Sequence, residues 1–176
     1  TCLAEALKHN AVLKHISLWN NHIDVDGAKH LAEGLKANAT LKVLDLHNNI
    51  IGDHGVKHLA EALKDSSLAS LDLERNNIGE EGSRYLAEAL KANKMLKQID
   101  LTLNLICMEG AKHLARALTQ NATLKVCLLG DNNIGEEGVM HLAKALELNR
   151  SIIIMDLWKN QINAKGAQYL GKVLKV

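Results

Sequence analysis

The sequence contains no phenylalanine and no proline, and its only aromatic residues are two tryptophans and two tyrosines. Large globular cores normally use aromatic side chains freely, yet apolar residues still make up 47% of this chain. Its 176 residues suit about one domain, because domains usually run about 100–200 residues. We therefore expect some organisation other than a bulky three-dimensional core.

Charge and cysteine usage exclude several classes of protein. The 21 basic residues nearly balance the 20 acidic ones, whereas nucleic-acid and membrane-surface binding favour clustered positive charge. No apolar run approaches the ~18 residues of a membrane span. Cys2, Cys107 and Cys127 form no C-x-x-C pair and no even framework, which favours reduced thiols in a cytoplasmic protein. We expect neither a nucleic-acid partner nor a membrane partner.

A repeat of 28 residues runs through the chain. The frame L-x-x-L-x-L-x-x-N-x-I-x-x-x-G begins at six positions: Leu13, Leu41, Leu68, Leu96, Leu124 and Ile152. One repeat is a residue shorter, at "KDSS" (64–67). Residues 1–12 carry only the second half of a unit. The predicted organisation is therefore a partial, helix-only repeat at 1–12 and one continuous domain of six repeats at 13–176.

Two columns of the repeat are invariant. The ninth position is always asparagine: Asn21, Asn49, Asn76, Asn104, Asn132 and Asn160. A stacked asparagine ladder would satisfy the turn amides and carbonyls that a solenoid cannot leave unpaired. The fifteenth position is always glycine: Gly27, Gly55, Gly82, Gly110, Gly138 and Gly166. Glycine there predicts either a positive φ or a close backbone approach where the helix begins.

Each repeat has two halves with different hydrophobic periods. The first half, as in "LASLDLE", alternates apolar and polar residues, which is typical of a strand. The second half places Ala111, Leu114, Ala115 and Leu118 at helical spacing. Strands lie about 4.8 Å apart, whereas helices are roughly 10 Å wide, so such a stack must curve. We predict an α/β solenoid shaped as a horseshoe arc, with a concave parallel sheet and convex helices.

The repeat resembles the leucine-rich repeat of the ribonuclease-inhibitor type. "LKVLDLHNNIIGDHGVKHLAEALK" (41–64) and "LASLDLERNNIGEEGSRYLAEALK" (68–91) carry the resemblance almost without gaps. The chain is most similar to the repeat arrays of NOD-like innate immune receptors, and ribonuclease inhibitors and activators of the Ran GTPase use related units. The resemblance implies a non-enzymatic protein-recognition scaffold. It specifies function less closely than fold, because these relatives differ in what the scaffold binds.

The acidic stretches at the start of the helical halves are structural on this interpretation. "GEEG" occurs at 79–82 and again at 135–138, and Asp53 and Glu109 take equivalent places in other repeats. Negative charge there is favoured by free backbone amides and the helix dipole, with Lys36, Lys64 and Lys91 near the opposite ends. The stretch lacks the residue spacing of a calcium loop.

No catalytic, metal or cofactor site is expected. Histidines recur at the eighteenth position, as His30, His58, His113 and His141, with a tyrosine in the other two repeats. Helices hold such residues about one helix diameter apart, too far to share a zinc ion. No serine lies in a nucleophile elbow, and no glycine-rich phosphate loop follows a strand. Cys107 replaces a glycine of three other repeats, so we expect it to be exposed and oxidisable.

The variable positions of the concave strands are the candidate partner-binding surface. Asp45, Asp72 and Asp100 form a carboxylate row on three consecutive repeats, and both tryptophans occupy the seventh position. Trp is a preferred interface anchor, and an acidic concavity attracts a basic partner. Two structural alternatives stay open: the tryptophans cover neighbouring strand residues, and the aspartates serve hydrogen bonds along the sheet. The full predicted surface comprises Trp19, Asp45, His47, Asp72, Glu74, Arg75, Asp100, Asp156, Trp158 and Lys159.

Three functions remain as hypotheses. The leading one is recognition of a protein or peptide, possibly basic, in the manner of an innate-immune receptor. The second is regulation of an enzyme, similar to a ribonuclease inhibitor or Ran GTPase activator. The third is self-association through the ends, because neither end carries a polar cap and "SIIIMDLW" (151–158) would form an open edge strand. The absence of caps and of an initial Met favours a piece of a longer protein.

Overall fold

Each repeat folds as a short strand followed by a helix, as the two hydrophobic periods predict. The computed structural model describes residues 2–174. Its helices are α1 (Cys2–His9), α2 (Val25–Ala37), α3 (Gly52–Leu63), α4 (Glu80–Ala92), α5 (Cys107–Leu118), α6 (Gly135–Leu148) and α7 (Ala164–Val173). Its strands are β1 (His15–Ser17), β2 (Val43–Asp45), β3 (Ser70–Asp72), β4 (Gln98–Asp100), β5 (Val126–Leu128) and β6 (Ile154–Asp156).

The strands form one parallel sheet in the order of the chain, β1 to β6. Residues at the same repeat position pair directly, so that Leu44, Leu71 and Ile99 lie in one row. The helices cover the opposite face, and each of the helices α2 to α6 packs on the helix before and after it. The fold is therefore a leucine-rich-repeat solenoid with a concave sheet and convex helices. The prediction of fold class is confirmed.

Aliphatic side chains fill the space between sheet and helices. Leu44 and Leu46 of one repeat are fully buried, as are Leu71 and Leu73 of the next. Leucine and isoleucine recur at the same depth in every inner repeat, so one narrow core runs the length of the solenoid. Such a core needs no large aromatic side chain, which explains the absence of phenylalanine.

The invariant glycine of the fifteenth position marks a close approach. A Cβ on Gly55 would lie 2.6 Å from the Ile51 side chain and 3.2 Å from Cβ of Ala28 in the preceding helix. Of the two explanations open from the sequence, close packing is therefore the one that applies. A positive φ occurs instead three residues earlier, at Gly52 and Gly135.

The asparagine ladder predicted for the ninth position is confirmed. Asn104 donates from Nδ2 to the Leu101 carbonyl of its own repeat (3.0 Å) and to the Leu73 carbonyl of the preceding repeat (2.9 Å). Its Oδ1 accepts the N–H groups of Asn76 and Ile78, both at 2.9 Å. Each inner asparagine is therefore buried and joins two repeats.

A second asparagine ladder lies at the other end of the helices, and the sequence interpretation missed it. Asn121 donates from Nδ2 to the carbonyls of Leu90 (2.7 Å) and Asn93 (3.3 Å) in the preceding repeat. Asn38, Asn93 and Asn149 bond in the same way. Ser66 takes this place in the shortened repeat, and its buried hydroxyl is the one such side-chain atom without a hydrogen-bond partner in residues 2–174.

Charges at the helix ends follow the predicted pattern. Asp53, Glu109 and the glutamates of both "GEEG" stretches lie in first helical turns. Lys36 and Lys91 lie in last turns, and Lys64 follows the end of α3. Asp53 also crosses to the next repeat, where its Oδ1 accepts the Gly79 N–H (2.7 Å). These acids therefore stabilise helix starts and repeat contacts.

Candidate functional site

The fifth and seventh positions of the repeats lie on the concave face of the sheet. Strand register places Asp45 opposite Asp72, and Asp72 opposite Asp100. All three side chains are half-buried. Three carboxylates therefore stack on adjacent strands at the spacing of a β-sheet, about 4.8 Å. The carboxylate row inferred from the sequence exists as a continuous feature.

Each aspartate of the row also holds the end of its strand. The N–H two residues later donates to Oδ1, at 3.1 Å for Asp45, 2.9 Å for Asp72 and 2.9 Å for Asp100. Asp156 accepts the Trp158 N–H in the same way (3.1 Å). Such bonds fix the turn after the strand. The aspartates thus have a structural role that leaves Oδ2 of Asp72 and of Asp100 available for other partners, whereas Oδ2 of Asp45 accepts the Ser17 hydroxyl (2.6 Å).

Asp72 is the carboxylate whose ionisation the site changes most. Burial, together with the charges of Asp100 and Asp45, raises the pKa of Asp72 from 3.8 to about 6. The Glu74 N–H bond and the nearby His47 oppose this shift. Stacked like charges on neighbouring strands are unfavourable. A cation placed on this row would therefore relieve repulsion that is present in the free protein.

Four of the predicted site residues surround one depression. Trp19, Asp45, His47 and Asp72 line a hollow of about 300 Å³ on the β1–β3 part of the sheet. The Trp19 and His47 rings meet edge to face, with centroids 6.4 Å apart. Trp19 remains 59% exposed. The lining of this hollow therefore combines aromatic rings with two carboxylates.

His47, Asp72 and Glu74 converge beside this hollow, which the sequence did not reveal. One ligand atom from each of the three lies within 4.8 Å of the others, and His47 Nδ1 is 3.2 Å from Glu74 Oε2. Repeat columns place His47 and Glu74 on adjacent rows, but only side-chain conformations bring their tips together. In residues 2–174 this is the one group of three or more potential metal ligands.

The remaining site residues lie elsewhere on the face. Trp158 covers Gly130, where any Cβ would overlap the indole ring, and is 47% exposed. Lys159 forms an ion pair with Asp131 (2.6 Å). Arg75 is exposed next to Glu74. The predicted surface therefore consists of a cluster on β1–β4 and a separate group at β6, with Leu128 and Gly130 between them.

Of the other residues that the sequence analysis considers, Cys107 is less accessible than predicted. His30, His58, His113 and His141 are half-buried on successive helices. Cys107 is half-buried rather than exposed. Cys127 is buried, and burial raises the pKa of its thiol to about 12. None of the helices described is long and apolar enough to cross a membrane.

Comparisons with known proteins agree with this architecture. Residues 37–60 and 64–87 match a family model described as "Leucine Rich repeat". A search of curated protein sequences finds no match to this chain. Repeat sequence and architecture together define a leucine-rich-repeat fold, a class of fold that generally serves protein interaction.

Two solved structures resemble the whole chain. One is described as actin-binding site 2 of leiomodin-1, with 22% identity and a TM-score of 0.63 over 97% of this chain and 84% of that one. The other is the tropomodulin C-terminal domain of Caenorhabditis elegans, with 13% identity and a TM-score of 0.62 over 99% of this chain and 90% of that one. Similarity at these identities establishes the fold.

Proposed function

We propose that this chain is a non-enzymatic recognition module whose concave face binds a positively charged segment of a protein or peptide. The row of Asp45, Asp72 and Asp100 is the observation that carries the proposal. Three stacked carboxylates repel one another, so the free protein gains no electrostatic stability from them. A lysine or arginine lying along the row would form charge-assisted hydrogen bonds with the free Oδ2 atoms of Asp72 and Asp100.

The two exposed tryptophans support the same surface. Trp19 stands at the β1 side of the carboxylate row, and Trp158 stands at β6. An extended segment crossing the sheet would meet aromatic side chains at both ends and acidic side chains between them. Large aromatic anchors beside complementary charge are typical of interface hot spots.

The biological setting that we propose is ligand sensing by a cytoplasmic protein of innate immunity. Resemblance of the repeats to NOD-like receptor arrays supports ligand sensing in innate immunity, and the free cysteines support a cytoplasmic location. Enzyme regulation is the alternative, in the manner of a ribonuclease inhibitor or Ran GTPase activator. Self-association is the third, supported by the exposed Ile153, just before the edge strand β6, and the exposed Ile154, the first residue of that strand.

The test uses a fluorescent peptide of alternating lysine and glycine, with an acidic peptide of equal length for comparison. Anisotropy titrations compare the parent chain with the Asp72→Asn/Asp100→Asn variant. Asparagine retains the oxygen that accepts the turn N–H, so the fold should survive. The matched control is Asp26→Asn/Glu137→Gln, which removes the same charge from exposed positions on the helices.

We expect the basic peptide alone to bind the parent chain, more weakly as salt rises. Binding should fall about tenfold in the concave variant and stay near the parent value in the helical control. Equal losses in both variants would instead mean non-specific attraction and would overturn the concave site. Actin, a ribonuclease and a GTPase assay with Ran are run in parallel, since a response there favours a different class of partner. Sedimentation over a concentration series tests self-association.

A further inference from the structure

The cluster of His47, Asp72 and Glu74 contains the kinds of atom that bind a transition-metal ion. His47 and Glu74 follow adjacent strands, β2 and β3, at the same repeat position, and Asp72 ends β3. An imidazole nitrogen and two carboxylate oxygens are common ligands of zinc. Strand register and turn hydrogen bonds hold the three backbones in place before any ion binds.

Distances in the cluster are close to those of a metal site. Ligand atoms about 2.0 Å from zinc in a tetrahedral site lie about 3.3 Å from one another. His47 Nδ1 and Glu74 Oε2 are 3.2 Å apart, and the full set lies within 4.8 Å. Small rotations of the Asp72 and Glu74 side chains would therefore complete the geometry.

His47 and Glu74 are the one pair of the three side chains within ion-pair distance. Although His47 and Glu74 are within ion-pair distance, no hydrogen bond joins their side chains in the part of the chain from 2 to 174. Asp72 uses Oδ1 for the Glu74 N–H, which leaves Oδ2 free. By contrast, Asp45 already engages the Ser17 hydroxyl (2.6 Å) and the His47 N–H, so it is the less suitable ligand.

The carboxylates around the cluster favour a divalent cation over an uncharged ligand. Asp72 and Glu74 bring two negative charges, and Asp45 and Asp100 add two more on neighbouring strands. All three candidate ligands are half-buried, and His47 and Asp72 line the same hollow as Trp19. Partial exclusion of water strengthens the attraction of such a group for a cation. Magnesium and calcium are less suited, because they prefer six or more oxygen ligands.

We propose that His47, Asp72 and Glu74 form a binding site for Zn²⁺ or a similar transition-metal dication on the concave face. Three protein ligands leave a fourth position directed at the concavity. That position suits water, or a histidine or carboxylate from a bound partner. The site goes beyond peptide recognition and stands on its own geometry, so either proposal can fail without the other.

The test is calorimetric titration of the tag-free chain with Zn²⁺, and with Mg²⁺ for comparison. Variants His47→Ala, Asp72→Asn and Glu74→Gln each remove one ligand. His58→Ala and Cys2→Ser are matched controls, since they remove a histidine on a helix and an exposed thiol. Circular dichroism verifies that every variant is folded. Cobalt absorption reports the ligand geometry, and copper quenching of Trp19 in a Trp158→Phe background reports the location.

We expect one Zn²⁺ per chain, with affinity reduced about tenfold or more by each ligand variant and unchanged in the two controls. Copper should quench Trp19, and His47→Ala should abolish the quenching. The proposal is overturned if Zn²⁺ does not bind saturably, if the three ligand variants bind as the parent does, or if either control removes the binding.

Discussion

At the scale of single residues, two opposing effects act on the carboxylate of Asp72. Its Oδ1 holds the strand end, while its position between Asp45 and Asp100 disfavours the charged form. Because the pKa of the folded state lies near 6, above the ordinary 3.8, the folded protein binds the proton more tightly than the unfolded chain does. Asp72 therefore contributes most to stability at low pH, and this contribution is lost as pH rises from about 4 through 6.

We expect Asp72→Asn to raise the free energy of unfolding at pH 7 by about 1 kcal/mol, a value discounted for solvent screening because the side chain is only half-buried. Below pH 4 the difference should vanish. Urea unfolding at pH 3.5, 5 and 7, in the presence of a metal chelator, measures it. Glu137→Gln, an exposed carboxylate on a helix, is the control. A stabilisation that is equal at all three pH values would contradict this origin.

The eighth position of the repeat requires a left-handed backbone whatever residue occupies it. In all six repeats φ lies between 50° and 57°, at Asn20, Asn48, Arg75, Leu103, Asp131 and Lys159. Asparagine and aspartate tolerate this conformation, whereas leucine is strained in it. Leu103 is therefore the residue whose chemistry fits the position least.

We expect Leu103→Asn to raise the free energy of unfolding by about 0.5 kcal/mol, as relief of backbone strain outweighs the loss of a partly buried side chain. Thermal and urea unfolding measure the change. Leu105→Asn tests the explanation, because Leu105 is exposed but has no positive φ. An equal gain in both variants would show that reduced surface hydrophobicity, not backbone strain, is responsible.

At the scale of elements, the asparagine ladders supply hydrogen bonds between repeats that longer strands supply in ordinary sheets. Each strand has only three residues, so few backbone bonds join one repeat to the next within the sheet. The ninth-position asparagines add bonds after every strand, and the second ladder adds bonds after every inner helix except where Ser66 intervenes. Loss of one asparagine therefore leaves buried groups unpaired in two repeats.

We expect Asn104→Ala to lower the free energy of unfolding by about 3 kcal/mol, since the amides of Asn76 and Ile78 lose their buried acceptor. Asn21→Ala is the comparison: Asn21 is exposed and donates only within its own repeat, to Leu18 and Trp19. It should cost less than about 1 kcal/mol. Urea unfolding of both variants decides, and similar losses would contradict the role of contacts between repeats.

Periodicity explains why the sequence predicts the elements but only part of the site. Strands, helices and the first ladder follow from columns that can be read directly, such as Leu71 and Asn76. The second ladder is periodic except at Ser66, but its asparagines lie in turns, where several structural roles were possible. Convergence of His47 with Glu74, and the turn of Trp158 onto Gly130, depend on side-chain conformation. No column specifies that conformation.

At the scale of the whole molecule, helix–helix and strand–strand contacts within residues 2–174 join only adjacent repeats. Inner repeats are held from both sides, whereas α1 and α7 each pack on one helix. Stability of such an array is approximately a sum of repeat terms and nearest-neighbour interface terms. We therefore expect local opening to be easiest at the two ends and hardest in the middle.

Three identical segments of the sequence allow local stability at the end and in the middle of the stack to be compared directly. "LAEALK" occurs three times, at 3–8 in α1, at 59–64 in α3 and at 86–91 in α4. Intrinsic exchange rates of interior amides are the same in all three copies, yet α1 buries only Ala4 and Leu7. Native-state hydrogen exchange should be fastest in the first copy and about tenfold or more slower in the other two. Equal rates would mean that the chain opens only as one unit.

The direction of the asparagine bonds also constrains how the chain can change its length. Every ninth-position asparagine after Asn21 reaches back to the repeat before it through the same groups. Insertion or deletion of a complete 28-residue unit would recreate those bonds, while the concave rows would gain or lose one register position. Insertion or deletion of a single residue does not recreate these bonds. In the repeat that is one residue shorter, Ser66 replaces the ladder asparagine and its buried hydroxyl has no hydrogen-bond partner among residues 2–174. Gene duplication is thus the evolutionary step that this architecture accepts most readily, and it would lengthen the binding surface in increments of one strand.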